Sequence, residues 1–228
     1  TFRAGGGLGF HLSRVKDNAT SERNTYQLFY VPLTADLDTR KNILNPIQGY
    51  HLSLGMAPYQ DISQSHIRFF RYVLGGSTYY NFNRGDWIVV AVKAAFGQIF
   101  GISHNEMPAD LRFYPGGGGS VRGYGYQMAG PLQGNTPLGG LSMLTGSLEL
   151  RFKVTESIGI VPFMDAGTAY LDTVPDFSDQ EMLYGAGLGL RYYTTIGPVR
   201  LDVAVPLKKR PGGVDSDYQI YVSIGQSF

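Results

Sequence analysis

"MLTGSLELRFKV", residues 143–154, decides the fold class. Leu144, Leu148, Leu150, Phe152 and Val154 occupy one parity, and Thr145, Ser147, Glu149, Arg151 and Lys153 occupy the other. A strand sends successive side chains to opposite faces, so this alternation makes one apolar and one polar face; a helix would mix the two sets. The same period recurs downstream. Val199, Leu201, Val203, Val205 and Leu207 oppose Arg200, Asp202, Ala204 and Pro206. Tyr184, Ala186, Leu188, Leu190 and Tyr192 alternate with Gly185, Gly187, Gly189, Arg191 and Tyr193. At the C-terminus Tyr218, Ile220, Val222, Ile224 and Phe228 form one set, and Gln219, Tyr221, Ser223, Gly225 and Ser227 the other.

Extended to the whole chain, this period predicts ten strands, at about 2–14, 24–38, 48–58, 66–82, 86–101, 141–154, 157–172, 181–195, 197–207 and 217–228. Short turns at 83–86, 155–157 and 195–197 interleave with longer polar links at 15–23, 102–140, 172–181 and 208–216, and the link at 39–47 is the least tidy of the short set. Two architectures accept long amphipathic strands. A soluble sandwich or lipocalin-like barrel turns the apolar face inward, whereas an outer-membrane barrel turns it to lipid and lines its interior with the polar face. Three features favour the membrane barrel: charged residues at mid-strand on the polar face, aromatic residues near strand ends (Phe69, Phe70, Tyr72, Tyr79, Tyr80, Phe82) as expected of an interfacial girdle, and the alternation of short turns with long loops. The expected fold is therefore all-β, an antiparallel transmembrane outer-membrane β-barrel with about ten strands in this chain. Charged residues make up only 16% of the chain, against roughly 25% in soluble domains, in keeping with an exterior that is not all in water.

Several functional classes are disfavoured. Nineteen basic against eighteen acidic residues give no electrostatic reason to expect a nucleic-acid partner. No cysteine is present, so disulfides and thiolate metal sites are excluded. No apolar run is long enough for a membrane-spanning helix, since Lys93 and Gln98 interrupt the best candidate, Trp87 to Phe100. His11, His51, His66 and His104 are scattered without metal-ligand spacing and are read as lumen, interface or loop residues. Neither a nucleophile elbow nor a zincin helix motif occurs. Ser65-His66 and Ser103-His104 are adjacent pairs whose side chains point apart on a strand. No catalytic residue, metal or cofactor is expected. Lys208-Lys209-Arg210 is read as a solvated run in an outer loop, with anionic lipopolysaccharide as the alternative partner.

The long link contains "LRFYPGGGGSVRGYGYQMAGP", residues 111–131. Its glycines permit close approach of another backbone, but neither phosphate-loop spacing is present. A plain flexible loop does not explain Tyr114, Tyr124 and Tyr126 beside them. The stretch resembles the sixth extracellular loop of the BamA/TamA superfamily, the outer-membrane insertases and their two-partner-secretion relatives, with Val121-Arg122-Gly123-Tyr124 as the core signature. The longer frame, Leu111-Arg112-Phe113-Tyr114 ahead and Tyr126-Gln127 after, resembles TamA more than BamA. "TRKNILNPIQGYHLSLGMAPY", "PLGGLSMLTGSLELRF", "FMDAGTAY" and "GAGLGLRYYTTIGPVRLDVAVPL" extend the likeness over most of the chain, and terminal Phe228 resembles the C-terminal signal of bacterial outer-membrane proteins.

The resemblance implies a loop folded back into the barrel, its Arg122 bonded to Asp165 and Glu149 on the inner wall, with Phe163 and Gly167 as supporting wall positions. It implies a sixteen-stranded family barrel whose last five strands follow the loop, so that residues 1–228 are expected to be one barrel domain, the C-terminal part of a longer chain with POTRA domains upstream. Ile220, Val222, Ile224, Gly225 and Phe228 would then form the seam strand. It implies a bacterial outer-membrane location with a periplasmic C-terminus, outer-membrane or autotransporter clients, contact with outer-membrane lipid and lipopolysaccharide, and a TamB-like inner-membrane-anchored partner. A two-partner-secretion pore and a passive porin-like barrel are the other readings.

Overall fold

The computed structural model describes residues 1–16, 23–63, 67–82, 85–178 and 180–228. His66, the Ser65-His66 pair, the centre of the 15–23 link and part of the 83–86 turn lie outside them. The strands are β1 (Phe2–Gly6), β2 (Gly9–Lys16), β3 (Arg23–Tyr30), β4 (Leu33–Asp38), β5 (Gly49–Asp61), β6 (Arg68–Asn81), β7 (Ile88–Phe100), β8 (Leu132–Gln133), β9 (Thr136–Pro137), β10 (Ser142–Lys153), β11 (Ile158–Tyr170), β12 (Leu183–Thr194), β13 (Gly197–Pro206) and β14 (Gln219–Ile224). All but β8 and β9 belong to one antiparallel sheet, running β1-β4-β5-β6-β7-β10-β11-β12-β13-β14, with β2 and β3 extending the β1 and β4 side. The only helix among the described residues is a single 3-10 turn at Ala109–Leu111.

Two of the expected strands are interrupted. The expected strand 2–14 divides into β1 and β2, and 24–38 into β3 and β4. Proline explains the second break, because it cannot donate to the ladder. β5 pairs β4 as far as Met56 opposite Leu33, and resumes with β3 at Tyr59 opposite Tyr30. Pro32 and Pro58 sit in the gap, which a single Val31 N–H to Pro58 carbonyl bond of 3.3 Å spans. The first break follows it across the sheet, where Gly7 N–H reaches the Pro32 carbonyl at 3.0 Å.

The two faces divide as their alternation predicts. On β13, Val199, Leu201, Val203 and Val205 are exposed while Arg200, Asp202 and Ala204 are buried. On β10, Leu148, Leu150 and Phe152 are exposed while Glu149 and Arg151 are buried. Large apolar side chains outside and charges inside invert the soluble pattern and match a barrel wall against lipid. Period two also corrects the aromatic girdle. Tyr80 and Phe82 point outward, but Phe69 and Tyr79 have the opposite parity and are buried inside. Phe69 joins Leu28, Ile99, Met107, Phe113 and Leu141 in the main inner cluster.

The last strand is shorter than expected. β14 ends at Ile224, and Gly225 takes φ +91° while donating to the Pro198 carbonyl at 2.8 Å. That turn removes Phe228 from the face of Ile220, Val222 and Ile224 and places it inside, against the cluster of Tyr79, Val89 and Ala91 on which Ile47 also packs. The 39–47 link comes to meet it. Gln226 N–H donates to the Leu44 carbonyl at 3.0 Å, and the Gln226 amide donates to Asn45 Oδ1 at 3.0 Å. The untidy turn is thus a strap joining the β4–β5 end to the residues that follow β14.

Candidate functional site: the seat of the Arg122 loop

The β7–β10 link lies along the inner face of the sheet. A bridge between Phe113 and Gly140 closes its base, and Ala129 N–H bonds the Pro115 carbonyl at 2.9 Å. Its apex packs Val121, Tyr124 and Ala129 on Leu183. Close approach is made possible by missing side chains. Gly123 has φ +100°, and a Cβ there would sit 2.7 Å from the Val205 carbonyl oxygen. A Cβ on Gly185 would sit 1.8 Å from the Arg122 carbonyl oxygen, so β12 has to be bare at that point. Gly167 is similarly tight, 2.8 Å from Val121 Cγ2.

Arg122 is 1% exposed, and the acids around it, Asp165 at 1% and Glu149 and Asp202 at 0%, are as deeply buried. Its Nε and Nη2 donate to the two oxygens of Asp165 at 2.7 and 2.9 Å, a fork-on-fork pair, and its backbone N–H donates to the same carboxylate at 2.9 Å. Nη1 divides between Glu149 Oε1 at 2.8 Å and Asp202 Oδ2 at 2.9 Å. Phe163 supplies a ring face 3.5 Å from the guanidinium carbon. Burial alone would push this guanidinium toward neutrality, but the bonds to Asp165 and the fields of Asp165, Glu149 and Asp202 outweigh it and hold its pKa above the ordinary value.

The carboxylates are themselves anchored. Arg151 Nε donates to Glu149 Oε2 at 2.9 Å, and Ser227 Oγ to Glu149 Oε1 at 2.5 Å. Arg151 also reaches the carbonyls of Pro46 at 3.1 Å and Phe228 at 3.2 Å, so the strap and the C-terminal turn share the network. Arg191 pairs with Asp202 and donates to Gln226 Oε1 at 2.9 Å. Asp165 differs: among the described residues, its hydrogen bonds come from Arg122 alone.

The structure thus brings Arg122, Asp165, Glu149, Phe163 and Gly167 to one place. Asp202, Arg151 and Arg191 join them without having been singled out as partners. Their inward parity was visible in sequence, but which inward charge meets Arg122 depends on strand stagger. Tyr221 was also missed. Its hydroxyl accepts from Gly123 N–H at 3.2 Å and donates to the Tyr124 carbonyl at 3.1 Å, tying β14 to the loop. Arg210 is not a solvated cation: it pairs with Asp215, donates to the Gly130 carbonyl at 3.1 Å and lies 5.5 Å from the Tyr124 ring. Lys208 and Lys209 make exposed pairs with Glu181 and Asp217. His11 and His51 meet Asp110 and Asp36 at 2.9 and 3.0 Å, and His104 meets the Gly139 carbonyl at 3.1 Å. No group of residues able to hold a metal occurs among the described residues.

Residues 9–228 match the model of the Omp85 superfamily domain. The chain belongs to the Omp85 superfamily. It is 30% identical over 137 residues to the outer membrane protein assembly factor BamA of Nitratidesulfovibrio vulgaris (strain Hildenborough), which covers 58% of this chain and 17% of that protein. Its fold is similar to the crystal structure of BamA from Haemophilus ducreyi lacking POTRA domains 1–3, with TM-score 0.71 and 21% identity, covering 88% of this chain and 43% of that one. The chain spans less than half the length of either. An Omp85 domain accounts for the inverted faces of the sheet, and its inner wall carries the ionic seat of Arg122.

Proposed function

We propose that this Omp85 barrel helps insert or secrete outer-membrane β-barrel or autotransporter proteins, in the manner of TamA, without enzymatic chemistry. The observation that carries the reading is the seat of Arg122. Three buried carboxylates on three separate strands converge on one loop cation, an arrangement a passive pore does not need. The seat holds the loop, and the loop holds β14 through Tyr221. β14 is one edge of the sheet. Unpaired backbone on such an edge is costly in lipid, and templates an incoming strand. A client strand adding there would gain main-chain hydrogen bonds without an external energy source. In this reading the C-terminus is periplasmic, the long loops face outward toward lipopolysaccharide, and POTRA domains ahead of the barrel carry a TamB-like inner-membrane-anchored partner.

The test is assembly of a heat-modifiable client barrel by the full-length protein in cells depleted of the wild type. Arg122→Ala removes the charge that several kcal/mol of buried pairing depends on, so assembly is expected to fall about tenfold or more while the barrel itself still inserts. Undiminished assembly together with a loop between 112 and 130 still protected from protease would overturn the reading.

A further inference from the structure

The outer face of the sheet carries a groove of about 670 Å³, within the range of small-molecule and lipid-chain sites. Tyr59 and Phe69 of the inward parity close its floor, and its outward walls are Phe29, Val31, Pro58, Phe70 and Phe100. The register places them on the outward parity, since Pro58 is opposite Phe70, Phe70 opposite Phe100, and Phe29 opposite Gln60. The groove lies where the ladder between β5 and the β3–β4 strand is interrupted at Pro58 and Pro32. Bare aromatic rings in lipid need no explanation; a concave aromatic slot does.

Its polarity is graded. Gln60 and Arg68 form a cross-strand pair at the end nearest the β5–β6 link, the end from which β7 enters the Arg122 loop. Arg68 is exposed and has no ion pair among the described residues. A cation at the rim of an apolar slot is the complement of an acyl chain that ends in an anionic headgroup.

We infer that this groove is a docking site for lipopolysaccharide, with an acyl chain between Phe29, Phe70 and Phe100 and a glucosamine phosphate on Arg68. The inference rests on the proposed orientation, which puts Arg68 at the outer leaflet. There the resident lipid carries phosphates at the level of strand ends. The site would fix β3 against β5 by filling the gap that Pro32 and Pro58 leave in the ladder.

The experiment is photocrosslinking in living cells, with p-benzoylphenylalanine replacing Phe100 in the full-length protein. Val205, outward on β13 at the same end of the sheet, serves as the reference position. Lipopolysaccharide adducts at Phe100 should exceed those at Val205, and Arg68→Glu should lower them by at least about fivefold, since loss of one cation at an anionic lipid surface already weighs about that much. Phospholipid adducts alone, equal yields at the two positions, or indifference to Arg68→Glu would overturn the site. Alkaline extraction of the same membranes reads insertion separately: a protein washed out by it would refute the membrane placement itself, and with it the site.

Discussion

Arg122 and Asp165 are unequal partners. Glu149 keeps Arg151, and Asp202 keeps Arg191, when Arg122 is removed. Asp165 keeps no cation bonded to it among the described residues. Breaking one side of a buried pair costs about 3–5 kcal/mol, chiefly through the charge left behind. Arg122→Ala is therefore expected to lower stability by that order, and Asp165→Asn in the same chain to restore part of it, as read by denaturant unfolding in detergent; a double variant no better than the single would place the cost elsewhere. A second residue-scale prediction concerns the outer tether. Burial raises the pKa of Asp215, but hydrogen bonds from Arg210 more than compensate and hold it below 3.8. A depressed carboxyl contributes stability above its unfolded pKa and loses it as pH falls through the folded one. Protease protection at 207–217 should therefore persist at mildly acidic pH and be lost as pH falls below the ordinary aspartate range. Arg210→Gln should remove that protection already at neutral pH.

At the scale of elements, the strap and the last turn act together. Gly225 holds φ +91°, a conformation that costs a side-chain-bearing residue about 1 kcal/mol or more. Gly225→Val adds β-branching to that strain and is expected to release Gln226 from Leu44 and Asn45. Hydrogen exchange at the Gln226 amide should then accelerate while the β10–β11 ladder stays protected. Equal exchange in both proteins would mean the turn survives without glycine. Most of the long strands were legible in sequence, because alternation is local. The breaks at 7–8 and 31–32 were not, because a proline's missing donor matters only once the neighbouring strand is known. The tuck of Phe228 was hidden for a related reason. Its parity continues that of Ile224, and only the positive φ of Gly225 turns it inward.

At the scale of the whole molecule, the outer face is a continuous apolar wall. Leu201 is outward on β13 and 41% exposed. Leu201→Arg would place a charge against lipid at mid-strand, at about 2–4 kcal/mol if that point lies at the bilayer midplane. Folding yield into bilayers should fall accordingly, with little effect in a detergent that lets the side chain reach water. An equal loss in both media would argue that the face packs against protein. The sheet ends at β1 and β2 on one side and β14 on the other, and these edges do not pair with each other among the described residues.

Period-two alternation by itself determined the strand class and the apolar and polar faces, because parity is a property of consecutive residues; charges at mid-strand, aromatic strand ends and the alternation of short turns with long loops pointed to the membrane sense of the wall. The motif around Arg122, through its resemblance to a known family, pointed to Asp165 and Glu149. Tertiary structure alone decided that Asp202 completes the seat, that Tyr221 ties β14 to the loop, and that the 39–47 link crosses to the C-terminal turn. Each of these joins residues far apart in sequence. Such contacts depend on strand stagger and on the path of a loop through the interior, and neither leaves a periodic trace in the chain.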